Sequence, residues 1–147
     1  MIMALIIGAS TAAAQDANPN YDPDLAAKLG ADDYGMKNFV MVVLKTGPAN
    51  ITDPAERAEK FKGHFANIKR LVEEKKLVIA GPFGKNEDAF RGLFIMNVKT
   101  VDDAKILLKD DPTIASGVFE AVYYSWYGSA ALGEYLEASD KIWKVKP

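Results

Sequence analysis

The chain has 147 residues, 49% of them hydrophobic and 26% charged, with a formal net charge of −2 and no cysteine. That supports one domain with a real core rather than two, and it is globular rather than disordered composition. Mixed acidic and basic residues remove the electrostatic case for nucleic acid, no apolar run reaches the roughly 20 residues of a membrane helix, and the absence of cysteine excludes disulfides and a cysteine-linked lipid anchor.

Met1 to Ala9 is a short apolar run, followed by Ser10-Thr-Ala-Ala-Ala14. Ala12-Ala13-Ala14 fits the small-x-small pattern of a signal-peptidase site, and the chain turns polar at Gln15. The expectation is that residues 1–14 are the back half of a secretory leader, cleaved after Ala14, and that the protein is periplasmic or secreted. If residues 1–14 are instead an apolar helix kept in the mature chain, the protein is cytoplasmic. No Lys or Arg precedes the apolar run, so the charged n-region of a leader is missing, a gap that a start further upstream fills. Residues 15–35 carry Asn18-Pro19, Asp22-Pro23 and Gly30 and read as a polar connector, with one helical turn at Leu25–Leu29.

The domain proper is expected over residues 36–128. Phe39-Val-Met-Val-Val-Leu44 is a continuous apolar run of strand length, which suits a central strand covered on both faces. Asp53-Pro54-Ala55-Glu56 is a helix start, with Asp53 as cap, Pro54 at the first helical position and Glu56 completing a capping box. That helix is predicted to reach about Lys75, with Phe61, Phe65, Ile68, Leu71 and Val72 on one face. Leu77–Ala80 is a short strand stopped by Gly81-Pro82, and Gly92–Val98 is the next. Thr100 or Asp102 caps a second helix, with Val101, Ala104, Leu107 and Leu108 inward; Asp110-Asp111-Pro112 ends it, because the residue before proline is pushed out of the helical region. Phe119–Trp126 is a fourth strand. The order β-α-β-β-α-β is a ferredoxin-like α+β unit. Residues 129–147 form a C-terminal tail with helical character from Ser129 to Ala138.

His64 is the only histidine. Histidine alone has an unperturbed pKa near neutrality, so proton-transfer chemistry has one obvious centre here. The spacing to Phe61, Ile68 and Leu71 puts His64 at or beside the apolar helix face, pointing at the sheet. Two roles fit that place: a core histidine bonded to a backbone carbonyl, or a general acid or base on a pocket floor. The second needs an orienting partner on the other ring nitrogen, and Asp111 is the candidate carboxylate. Ser116 could donate into the same pocket, and a ligand could rest against the backbone of Gly81, Pro82 and Phe83, since glycine permits close approach. A lone histidine without cysteine makes no metal-ligand set, and no phosphate loop is framed, so no metal and no cofactor are expected.

His64, Leu77-x-x-Ala80-Gly81-Pro82-Phe83, Gly92, Ala104 and Asp111-Pro112 with Gly117 together resemble the YciI-like (YCII-related) family. The resemblance spans Phe39 to Tyr127. It implies a dimeric α/β barrel, in which two ferredoxin-like sheets face each other, and a candidate active site at a His-Asp pair that maps onto His64 and Asp111. The function it implies is a cofactor-independent enzyme for proton transfer, elimination or hydrolysis on a small organic molecule. A non-catalytic, dimeric small-ligand-binding module is the alternative, and a haem protein with His64 as axial ligand is a remote third. Phe119, Val122, Tyr123, Tyr124 and Trp126 on one strand give a small monomer more aromatic surface than it hides easily, which agrees with a homodimer. No nucleic acid and no membrane partner is expected.

Overall fold

The computed structural model describes residues 18–144; the proposed leader lies outside them. The elements are α1 (Pro23–Leu29), β1 (Met36–Thr46), α2 (Pro54–Glu73), β2 (Leu77–Pro82), β3 (Phe90–Met96), α3 (Val101–Leu108), α4 (Pro112–Ala115), β4 (Phe119–Ser129), a 3₁₀ turn (Ala130–Glu134) and α5 (Tyr135–Ser139). The strands form one sheet in the order β2-β3-β1-β4, with every neighbouring pair antiparallel. This is the expected ferredoxin-like α+β topology.

The apolar run in β1 splits by alternation. Val40, Val42 and Leu44 point to the helix side and pack with Phe94, Met96, Leu71, Ala104 and Leu108 in the main core. Phe39 and Met41 point to the other side and join Val78, Ile79, Leu93 and Ile95. On that side only Leu132, from the 3₁₀ turn, is added from outside the sheet. The β1–β4 register pairs Met41 with Tyr124 and Phe39 with Trp126, so these aromatics share the less covered face; Tyr124 is 49% and Trp126 36% exposed. The second cover that the β1 sequence demands is therefore only partly present within one chain.

The helix boundaries follow their caps. Asp22, Asp53 and Asp111 each take the N-cap position before a proline at the first helical position. Asp53 accepts from Ala55 N at 2.8 Å, and the capping is one-sided: no return bond from Glu56 is present among the described residues. Of the two proposed caps for the second helix, Thr100 is the one used, accepting from Asp103 N. Asp111-Pro112 does more than end that helix, which stops at Lys109: it starts the separate turn α4. Phe65, expected inward, is 60% exposed, because His64 takes the inward position and the next residue lies about 100° around the helix.

Candidate active site

Three elements bring the site together. α2 lies across the helix face of the sheet and aims His64 at Phe94, whose ring stacks on the imidazole with centroids 5.9 Å apart and planes at 24°. α4 packs against α2, and Gly63 permits the close approach: a Cβ there would come 2.6 Å from Pro112 Cγ. The close approach delivers the α4 cap residue, Asp111, to His64.

His64 is 5% exposed, Asp111 1% and Thr113 0%. His64 Nδ1 lies 2.9 Å from Asp111 Oδ2 and 3.1 Å from Oδ1. The structural alternative, a histidine bonded to a backbone carbonyl, is not what Nδ1 does. Asp111 also accepts from the Thr113 hydroxyl at 2.7 Å, from Thr113 N at 3.0 Å and from Asn67 Nδ2 at 3.1 Å. Burial works to raise the Asp111 carboxyl. The hydrogen bonds from His64 and Thr113, the neighbouring imidazole charge and the Asn67 amide outweigh it and bring the pKa down from 3.8 to about 2. An ionised Asp111 can only accept, so the proton in the His64–Asp111 bond sits on Nδ1. Thr113 Oγ1, 3.1 Å from Nδ1, spends its own hydrogen on Asp111 and so takes a share of the same N–H. This assignment of tautomer leaves the Nε2 lone pair as the basic site of the neutral ring.

Nε2 has no partner among the described residues, yet no fully buried side-chain nitrogen or oxygen there is unpartnered. Nε2 is therefore at least marginally exposed, on a side chain that is 6% exposed in all. Besides Phe94, the ring is bordered by Phe119 (5.7 Å, edge-on), Phe65 (5.6 Å) and Phe61 (6.2 Å, edge-on). Arg57, one turn before Phe61, places its guanidinium 5.1 Å from that ring. Tyr123 lies on the same strand face as Phe119, and burial together with the Asp111 charge raises its phenol. The result is a basic nitrogen in an apolar, aromatic surround, backed by a fixed carboxylate.

The other residues singled out in the sequence sit elsewhere. The Ser116 hydroxyl donates to the Pro112 carbonyl at 2.5 Å, closing the end of α4. Gly81 pairs with Leu93, on the sheet face opposite the one that carries Phe94 and His64. Pro82 is exposed at the end of β2, and Phe83 packs on Phe90 at 5.5 Å. Sequence reasoning missed Asn67 and Thr113. The available signals were helical spacing, since Asn67 is one turn after His64, and position, since Thr113 follows Asp111 by two, where capping residues bond backbone and side chain alike. Arg70 adds a further layer by donating to Asn67 Oδ1 at 2.7 Å, which fixes the amide with Nδ2 towards Asp111. Among the described residues no group of three or more His, Cys, Asp or Glu is placed to hold a metal ion, and no helix is long and apolar enough to cross a membrane.

A four-stranded antiparallel sheet with helices on one face defines the ferredoxin-like α+β class. Residues 38–125 match the YCII-related domain, and the chain belongs to that family. It is 29% identical over 91 residues to the uncharacterized protein YjpA of Bacillus subtilis, a match covering 62% of this chain and 95% of YjpA. Among solved structures it is similar to the 5-chloro-2-hydroxyhydroquinone dehydrochlorinase of Burkholderia phenoliruptrix AC1100 in complex with 2,5-dihydroxybenzoquinone. That similarity has 18% identity and a TM-score of 0.43, and covers 59% of this chain and 92% of the other.

Proposed function

We propose that this protein is a cofactor-independent enzyme that transfers a proton on a small organic molecule, with proton transfer, elimination or hydrolysis as the outcome. The observation that carries this reading is the 2.9 Å bond between His64 Nδ1 and Asp111 Oδ2, which leaves Nε2 without a partner among the described residues. In this reading Nε2 takes the substrate proton, and the ring becomes an imidazolium stabilised by the Asp111 charge behind it. The same ring then returns the proton to the leaving group or product. Thr113 and Asn67 hold Asp111 ionised and in place, so little reorganisation accompanies the charge change. Phe61, Phe65, Phe94 and Phe119 are the apolar walls on which a small substrate rests. Ser116, whose hydroxyl is spent on the Pro112 carbonyl, and Gly81–Phe83, at the far end of β2, are left out of this reading.

The assembly in this reading is a homodimer joined through the sheet face that carries Tyr124 and Trp126. The domain spans residues 36–128, the leader on residues 1–14 is removed, and the mature protein works in the periplasm or outside the cell.

The test is a screen of wild type and His64→Gln against lactones, enolisable ketones and substituted phenols. The expected result is turnover of at least one compound, reduced by roughly 10²-fold or more in a folded His64→Gln variant. Equal rates in the two proteins would remove His64 from the chemistry. Unchanged binding with no turnover in either would favour the ligand-binding module.

A further inference from the structure

Away from His64, a groove of about 790 Å³ opens where the sheet meets α1 and α3. It is lined by Lys37 and Asn38 from β1, Lys76 before β2, Asn97 and Lys99 after β3, and Asp103 from α3. Three lysines against one carboxylate leave a formal excess of two positive charges, in a chain whose net charge is −2. Among the described residues, none of the three lysines lies within ion-pair distance of a carboxylate. The one acidic wall, Asp103, already accepts from the Thr100 hydroxyl at 2.7 Å.

Lys37 is the least exposed of the three cations. Its Nζ donates to the Leu29 carbonyl at 3.0 Å and lies 5.1 Å from the Phe39 ring centroid. Burial lowers its pKa, as it does for a cation that lacks a counter-charge. Asn97 commits its amide to the Lys75 carbonyl, whereas the Asn38 side chain makes no hydrogen bond among the described residues. The remaining walls are apolar: Leu29, Val98, Leu107 and Ile106, the last 64% exposed. One wall, Leu29 and Gly30, belongs to α1, outside the 38–125 domain match. The groove is thus completed by a segment that this chain adds to its family's domain.

We propose that this groove binds a small molecule with a dianionic oxygen headgroup, a phosphate monoester or a dicarboxylate. The charged end sits between Lys76 and Lys99, with Lys37 at the α1 wall where it holds the Leu29 carbonyl, and the apolar body lies along Leu29, Val98 and Ile106. Lysine ammonium groups act as point charges without fixed fork geometry, which suits a headgroup of either shape. Binding of this kind is screened by salt, so the affinity falls as ionic strength rises.

The experiment is an amide NMR titration of the full chain with inorganic phosphate and, separately, with succinate, at constant ionic strength set by chloride. The variant is Lys76→Ala combined with Lys99→Ala, two exposed positions; Lys37 is left in place because it also holds α1. The expected result is saturable shifts at Gly30, Asn38 and Lys99 and at the Asn38 and Asn97 side-chain amides. The double variant weakens binding by about tenfold, two exposed ion pairs' worth, with the sheet signals unchanged. Saturation by phosphate alone, or by succinate alone, identifies which headgroup the groove takes. Saturation by neither, or an affinity that the double variant leaves intact, overturns the proposal.

Discussion

The hydrogen bonds around Asp111 account for the site. Its two oxygens accept from His64 Nδ1, Thr113 N, Thr113 Oγ1 and Asn67 Nδ2, at 2.7 to 3.1 Å. A buried carboxylate without those donors would be protonated rather than charged. The consequence for stability has a definite sign. The folded pKa of about 2 lies below the ordinary 3.8, so the contribution of Asp111 is fully present above about pH 5 and is lost as pH falls through 2. The difference is worth about 2 kcal/mol, roughly half of it gone by pH 3. A carboxyl ¹³C NMR titration of wild type reads the shift: the Asp111 carboxyl is expected to titrate at about 2, below the ordinary aspartate value. An Asp111 carboxyl that titrates at the ordinary value would mean that its neighbours do not hold it ionised. His64 and Asp111 were both legible in the sequence, one as the only histidine and the other as an aspartate before proline. Asn67 and Thr113 were not, because an amide on a polar helix flank and a threonine in a turn look the same whether solvated or buried.

At the level of elements, the α2–α4 contact decides whether the pair forms. Gly63→Ala pits two effects against each other: alanine gains about 1 kcal/mol of helix propensity, and overpacking costs about 1–3 kcal/mol. With the new Cβ 2.6 Å from a rigid proline ring, overpacking is expected to win. The predicted outcome is a lower melting temperature by a few degrees together with loss of the His64–Asp111 bond, read by thermal unfolding and histidine NMR. A Gly63→Ala protein with a raised melting temperature and an intact pair would contradict the close approach. The strands were the most legible part of the fold, since the β1 run and the alternation of Phe119, Ala121 and Tyr123 against Val122, Tyr124 and Trp126 state their faces directly. The turns were less so. The same Asp-Pro dipeptide reads as connector at Asp22, helix start at Asp53 and helix stop at Asp111, yet all three positions begin a helix. The cap and the proline φ act in the same sense each time, and only the packing that follows sets the length of helix they start.

For the whole molecule, the segments flanking the 38–125 match meet each other. Lys28 and Glu134 approach to 3.6 Å, Ala130 N donates to the Gly35 carbonyl at 2.9 Å, and the Tyr127 hydroxyl donates to Asp32. Together they cover one end of the sheet and place Leu132 on its less covered face. What they leave open there, with Tyr124 at 49% exposure beside Met41, is the surface proposed to join two copies. Native mass spectrometry of the full chain is expected to give twice the mass of one chain. Tyr124→Glu, a change at an exposed position, is expected to give the monomer with its circular dichroism unchanged. A wild-type monomer, or a Tyr124→Glu protein still dimeric, would contradict an interface through this face. A second copy as partner was an expectation from the aromatic strand β4; the mutual contact of the flanking segments was not legible, because their apolar residues are few and their contacts are long-range.

The most direct test of the central claim is long-range ¹H–¹⁵N NMR of the single histidine ring in wild type and in Asp111→Asn, at a pH where the ring is neutral. The account predicts that wild type carries its proton on Nδ1, with Nε2 bare, and that Asp111→Asn loses this preference. A wild-type ring protonated on Nε2, or a tautomer unchanged by the substitution, would mean that Asp111 does not orient His64, and the proposed base would be gone.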